Sequence, residues 1–183
     1  MKRGIIEGKS YAPVEEVYDF FMDFKNYVKY SEYVADIRVV EDGDYPEWEM
    51  DFRWWMIRYT TRSKLIDYEE NSYIEWKVTK DVDIQGRWEF EEVGDEETDV
   101  RLEVLYDPKG ASKVNPLSFL PTERLIQVAR PVANRHVSKV LRRVADELEG
   151  EPREVEYTIR PGGMEDEDEF LALVPEEKIE DAP

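Results

Sequence analysis

The sequence predicts an α+β domain in which one curved antiparallel sheet of about six or seven strands wraps a long C-terminal helix, with two short helices after the first strand. Three observations predict it. Apolar residues alternate with charged ones from Ile37 to Tyr106, the period of half-buried strands. Helical spacing appears instead at Val14, Val17, Tyr18 and Phe21, and again from Leu125 to Leu148. Each strand has one apolar and one charged face, so one side of the sheet can stay wet while the other needs a cover.

The elements follow in chain order. Ile5 and Ile6, flanked by polar residues, read as a short first strand. Ser10 to Pro13 is a helix start, and the stripe from Val14 to Phe21 is the first short helix, broken near Asp23. Phe24, Tyr27, Val28 and Tyr33 suit a second short helix ending near Val34. Ile37 and Val39 then alternate with Asp36 and Arg38, and Asp42-Gly43 is a turn. Trp48, Met50, Phe52 and Trp54 form the apolar face of the next strand. Tyr59, Thr61, Ser63 and Leu65 form that of the one after. Asn71 sits in a turn. Ile74, Trp76 and Val78, then Trp88 and Phe90, continue the set. Gly94-Asp95 turns the chain into Val100, Leu102, Val104 and Tyr106.

Residues 108–121 hold Gly110, Asn115 and three prolines and read as a loop. Beyond it Leu125, Val128, Val132, His136, Val140, Val144 and Leu148 share one helical stripe that stops at Gly150. Pro131 kinks this helix or marks where its main part begins. The helix is the natural cover for the dry face. Residues 1–150 are therefore expected to be the folded domain and residues 151–183 an acidic extension. Arg153 to Arg160 can add one edge strand there, and the rest reads as a solvated tail.

Composition excludes several classes of chemistry. There is no cysteine, so disulfides, thiolate catalysis and cysteine-type metal sites are ruled out. His136 is the single histidine, which rules out sites built on two. The acidic run Glu165 to Glu169 lacks the glycine and the spaced final glutamate of a calcium loop and reads as solvated. No glycine-rich phosphate loop, serine elbow or paired-carboxylate motif stands out. No metal or cofactor is expected.

The chain has 44 acidic against 25 basic residues, a formal net charge of -19. Such a chain repels nucleic acid and anionic bilayers as a whole, so direct nucleic-acid binding is not expected. The acids are spread along nearly every element, which favours adaptation to a salt-rich cytoplasm over a single basic partner. No run approaches the roughly 20 apolar residues of a membrane helix. The N-terminus lacks the apolar core and cleavage site of a signal peptide, so a cytoplasmic location is expected.

Large aromatics on the sheet opposite small Ala and Val on the helix can leave a gap between them, the usual form of a small-molecule site. At this point the order of elements resembles the START-like superfamily, with its helix-grip fold. Within it, the chain is similar to the polyketide cyclase/dehydrase branch that includes coenzyme-Q-binding proteins. Three stretches carry the resemblance. Pro13-Val14-Glu15-Glu16-Val17-Tyr18-Asp19-Phe20-Phe21 with Phe24-Lys25-Asn26-Tyr27 looks like the family's opening. Tyr59-Thr60-Thr61-Arg62 is similar to its mid-sheet segment. Gly86-Arg87-Trp88-Glu89-Phe90, followed by Thr98-Asp99-Val100, looks like its G-x-W-x-F hairpin. The likeness spans about Arg3 to Gly150. It implies a lipid or polycyclic pocket under the long helix, but no one activity, because the fold hosts carriers, sensors, cyclases and hydrolases.

The candidate cavity residues are Trp54, Tyr59, Thr61, Ser63, Trp76, Trp88, Phe90, Tyr106, Val132, His136 and Val140. The aromatics can stack on a ring-bearing ligand or simply fill a core. Thr61 and Ser63 lie on the dry face by parity and need polar partners there. His136 is either a cavity base or a satisfied core histidine. Arg135, Lys139, Arg142 and Arg143 form a basic face on the helix, opposite its apolar stripe. This is either a contact for an anionic membrane headgroup, a protein partner or RNA, or a solvated face paired with nearby acids. The principal expectation is a non-enzymatic carrier of a hydrophobic small molecule, such as a polyprenyl quinone or another isoprenoid lipid. The alternatives are a cyclase/dehydrase-type enzyme using His136 with Tyr59 or Tyr106, and an interaction module docking through the basic helix face.

Overall fold

The computed structural model describes residues 2–54, 57–80, 82–106, 137–151 and 153–161. Eight strands among them form one antiparallel sheet. They are β1 (Lys2–Ser10), β2 (Val34–Glu41), β3 (Glu47–Trp54), β4 (Ile57–Glu69), β5 (Tyr73–Val78), β6 (Ile84–Gly94), β7 (Glu97–Tyr106) and β8 (Tyr157–Pro161). Their order across the sheet is β2-β3-β4-β5-β6-β7-β1-β8. The meander from β2 to β7 is the one the alternation predicts. The first strand adds beside β7, and β8 adds beside β1.

Between β1 and β2 the chain forms α1 (Val14–Met22), a 3-10 turn (Phe24–Asn26) and α2 (Tyr27–Tyr30). α1 buries Val14, Val17, Tyr18 and Phe21, the predicted stripe. Glu15 and Glu16 in its first turn suit the positive end of the helix dipole. Asp23 ends the helix, and its carboxylate accepts from the Lys25 amide at 3.2 Å, capping the following turn. The second helix stops at Tyr30, earlier than the sequence spacing predicts. Ser31 is already extended, the Tyr33 carbonyl accepts from the Arg53 amide at 2.8 Å, and Val34 pairs with Phe52. Strand pairing of a buried, β-branched residue overrides the helical spacing there.

Residues 137–149 are helical and are termed α3. Gly150 ends it with φ of +74°, a conformation that glycine adopts freely, and its amide bonds the Asp146 carbonyl at 3.0 Å. The earlier part of the predicted long helix, with Val132, Arg135 and His136, lies outside the described residues. So do the predicted loop at 108–121 and the acidic run at 165–169. Asn71, at φ of +59°, makes the predicted turn between β4 and β5.

The core lies between the sheet and the helices. Leu65 and Ile74 on the sheet and Val17 on α1 are fully buried. Phe90 packs edge-on to Tyr18 at 5.7 Å and against Phe21, so α1 covers the far end of β6. Thr98 is buried and donates to the Ala12 carbonyl at 2.9 Å, fixing the β1–α1 corner to β7.

Candidate ligand cavity

The strand register assembles one inner face. Trp48 stands opposite Ser63, and Ser63 opposite Val78. Met50 faces Thr61, and Phe52 faces Tyr59. Leu65 faces Trp76, Trp76 faces Gly86, and Gly86 faces Val104. Ile74, Trp88, Leu102 and Ile6 form the next row. α3 turns Val137, Val140, Leu141, Val144, Ala145 and Leu148 toward this face. A cavity of about 490 Å³ remains between this face and the helix. Its walls are almost wholly apolar. That is the size and character of a small-molecule site.

Gly86 is needed for this shape. A Cβ there would overlap the Trp76 indole. On the α2 side Phe24 stacks on Trp48 at 3.8 Å, and Phe21 packs on Trp88 at 4.4 Å. The Trp88 indole donates to the Tyr27 hydroxyl at 3.0 Å. Burial pushes the Tyr27 hydroxyl up to about 12, in spite of the Trp88 hydrogen bond and the nearby Tyr30 hydroxyl, which pull it down. Burial also raises Tyr30 well above the usual tyrosine value. The Tyr30 hydroxyl is coupled to that of Tyr27 without reaching the geometry of a full hydrogen bond.

A polar knot closes one end. The Glu149 carboxylate, at the end of α3, accepts from the Tyr11 amide at 2.9 Å, the Ser10 hydroxyl at 3.3 Å and Arg153 Nη2 at 2.8 Å. Arg153 also donates to the Lys9 carbonyl at 2.8 Å and lies over the Tyr11 ring at 4.4 Å. Burial alone would raise the Glu149 carboxyl. The guanidinium and the other donors outweigh it and hold the carboxyl below its usual value. Val155 follows and lines the cavity beside Gly8. Near the other end of α3 the Ser138 and Tyr157 hydroxyls are 2.8 Å apart, tying the helix to β8.

The predicted cavity residues divide into three groups. Tyr59, Thr61, Ser63, Trp76, Trp88 and Val140 line the cavity. Phe90 does not: α1 covers it, and it belongs to the core. Tyr106 ends β7 opposite Lys2 and the lining residue Ile84, and does not itself line the cavity. Trp54 ends β3, paired with Ile57. Sequence reasoning passed over Tyr27, Tyr30, Glu149 and Val155. The tyrosines show no period-two signal because they sit on a four-residue helix. The Glu149–Arg153 pair depends on a chain reversal after Gly150 that no local pattern announces. On the basic face, Lys139 donates to Glu32 at 2.6 Å and Arg143 to the Tyr30 carbonyl at 3.3 Å. Both hold α3 to the α2–β2 corner. Arg142 is exposed.

A larger open groove of about 1150 Å³ crosses the outer face past Arg87, Glu89, Arg101 and Arg153. Its arginines pair with acids of the same chain, so it lacks the apolar walls of the inner cavity. Among the described residues no helix is long and apolar enough to cross a membrane.

Residues 9–149 match the family model described as polyketide cyclase / dehydrase and lipid transport. The chain belongs to this family. Solved structures agree on the fold. A protein from Thermus thermophilus is 17% identical with a TM-score of 0.62, covering 81% of this chain and 97% of its own. The Zhui aromatase/cyclase from a Streptomyces species is 18% identical with a TM-score of 0.62, covering 84% and 97%. A START superfamily protein from Mycobacterium smegmatis is 13% identical with a TM-score of 0.61, covering 82% and 99%. No curated protein matches the sequence. The helix-grip architecture expected from the element order is thus the family's own, a fold that binds hydrophobic ligands between sheet and helix. β8 lies beyond the matched residues.

Proposed function

We propose that the protein is a non-enzymatic carrier that binds a hydrophobic small molecule, such as a polyprenyl quinone or another isoprenoid lipid, between its sheet and α3. The observation that carries this reading is the apolar cavity of about 490 Å³ under the helix. Enclosing an apolar ligand there removes its surface from water at about 25 cal/mol per Å², a driving force that needs no reaction.

Native mass spectrometry of gently purified protein, followed by solvent extraction, tests the reading. A discrete added mass that extracts as a lipid supports it. An apo mass that persists after incubation with quinones and fatty acids overturns it. The family also covers cyclases and dehydrases. An enzyme of that kind would rely on His136, and a His136→Ala variant that binds but no longer turns over a polyketide-like substrate would favour it.

A further inference from the structure

The tip between β2 and β3 carries Asp42-Gly43, and the fold leaves it chemically open. Both residues are exposed. The last strand pair before the tip is Glu41 with Glu47, so the two residues stand outside the ladder. The Gly43 amide donates to the Asp42 carboxylate at 3.0 Å, and to no backbone carbonyl among the described residues. Gly43 has φ of +137°, with open space on the side where another residue would carry its Cβ.

A nitrogen held about 3 Å from a carboxyl group is close to an attacking position, and a small rotation at an unrestrained tip completes it. The Gly43 nitrogen attacks Asp42 Cγ. The N–Cγ bond forms, the Cγ–OH bond of the protonated carboxyl breaks, and the amide proton leaves with the hydroxyl as water. The product is a five-membered succinimide. Water then adds back at one of its two carbonyls. Breaking the N–Cγ bond restores aspartate. Breaking the bond from nitrogen to the α-carbonyl carbon leaves the main chain running through Cγ, with the α-carboxylate as the side group. That product is isoaspartate. One water leaves and one returns, so no oxidant or cofactor is needed. Glycine favours the step because it puts no side chain in the path of the carboxyl.

A second aspartate makes the same contact without the same freedom. The Tyr68 amide donates to the Asp67 carboxylate, also at 3.0 Å. Asp67 lies within β4, paired with Glu75, and its carboxylate accepts from the Tyr73 hydroxyl at 2.9 Å as well. The ladder fixes that backbone, and attack there requires a strand to open locally. Strands open far less often than exposed tips.

We propose that Asp42-Gly43 is a site of spontaneous isomerisation, and that the isoaspartyl carboxylate it forms is a substrate for an S-adenosylmethionine-dependent isoaspartyl methyltransferase. Such an enzyme moves the sulfonium methyl group to a carboxylate oxygen, forming a methyl ester and leaving a thioether. The exposed tip presents that carboxylate to a partner without unfolding the sheet. The inference does not depend on what the cavity holds.

The full chain is incubated in warm neutral buffer beside a synthetic peptide of residues 39–53, the tryptic fragment that contains the tip. Electron-transfer mass spectrometry of the digest then measures isoaspartate at each position. The folded chain should form it at position 42 within about threefold of the free peptide's rate, and at position 67 at least about tenfold more slowly. A slower rate at position 42, or equal rates at the two positions, would overturn the site. Asp42→Glu keeps the charge but needs a six-membered ring, so it should not isomerise. A purified isoaspartyl methyltransferase with labelled S-adenosylmethionine should label the aged chain, but neither the fresh chain nor the aged Asp42→Glu variant. Label that persists in the variant would place the reaction elsewhere. An aged chain that contains isoaspartate and takes up no label would overturn the methyltransferase assignment.

Discussion

The two faces of the sheet share the same strands and obey opposite rules. On the inner face Leu65, Ile74 and Trp48 are buried, and position after position is apolar. On the outer face acids and bases form a lattice. Arg38 meets Asp36, Glu49 and Asp51; Arg62 meets Glu47 and Glu49; Arg101 meets Glu7, Glu89 and Glu103. The pairs fall into one group across β2, β3 and β4 and another across β5, β6, β7 and β1, and their members remain partly exposed. Exposed pairs contribute roughly 0–1 kcal/mol each, whereas one buried leucine contributes several times that. The difference teaches that the exposed charge adds little to stability, while the inner face supplies stability and the candidate site.

Adjacent residues give the sharpest way to break that contrast. Leu65→Ala should lose about 2–5 kcal/mol, because the side chain is fully buried and its neighbours cannot close the gap. Lys64→Ala, one residue away on the outer face, should change stability by less than about 0.5 kcal/mol. Urea denaturation of both variants checks this. Comparable losses at the two positions would mean that the charge lattice contributes far more than exposed pairs usually do.

The polar knot at Glu149 is the exception to the rule, a charge set among buried groups. Glu149→Ala should cost about 2 kcal/mol, since it strands the Arg153 guanidinium and the Tyr11 amide. The folded carboxyl binds its proton less readily than the unfolded one, whose reference value is 4.5. The stabilisation is therefore complete above that value and is lost as pH falls through the lower folded pKa. The gap in urea midpoint between wild type and variant should be widest near pH 7 and should narrow at pH 3. A gap independent of pH would show that the knot acts through packing alone.

The same contrast explains what was legible in the sequence. Strands β3 to β7 announce themselves because every second residue is apolar and the alternates are charged. β1 is barely visible. Its inner positions are Gly4, Ile6, Gly8 and Ser10, so half the apolar signal is missing, and only Ile5 and Ile6 stand out although the strand runs from Lys2 to Ser10. Thr61 and Ser63 could be placed on the inner face by parity, and they line the cavity. Parity also put Phe90 there. It could not reveal that α1 lies over that end of β6, since helix placement on a sheet is a tertiary outcome. The pairs that secure α3 join residues far apart in sequence, such as Lys139 with Glu32, and leave no local trace.

The smallest expected effect concerns the outer lattice and salt. Arg38 holds three acids and its guanidinium is raised further above its normal value, first by the hydrogen bond to Asp51. Being exposed, it should still shift the urea midpoint only slightly when replaced by alanine, and the shift should vanish in 1 M NaCl, where the screening length is about 3 Å. Salt acts on the whole chain in the opposite sense. With a net charge of -19, more acids repel one another than arginines attract them. Raising NaCl from about 0.1 to about 1 M should therefore increase the wild-type midpoint even as individual pairs weaken. A falling midpoint would show that the lattice outweighs the self-repulsion. The acidic surface would then be better explained by a basic partner than by adaptation to salt.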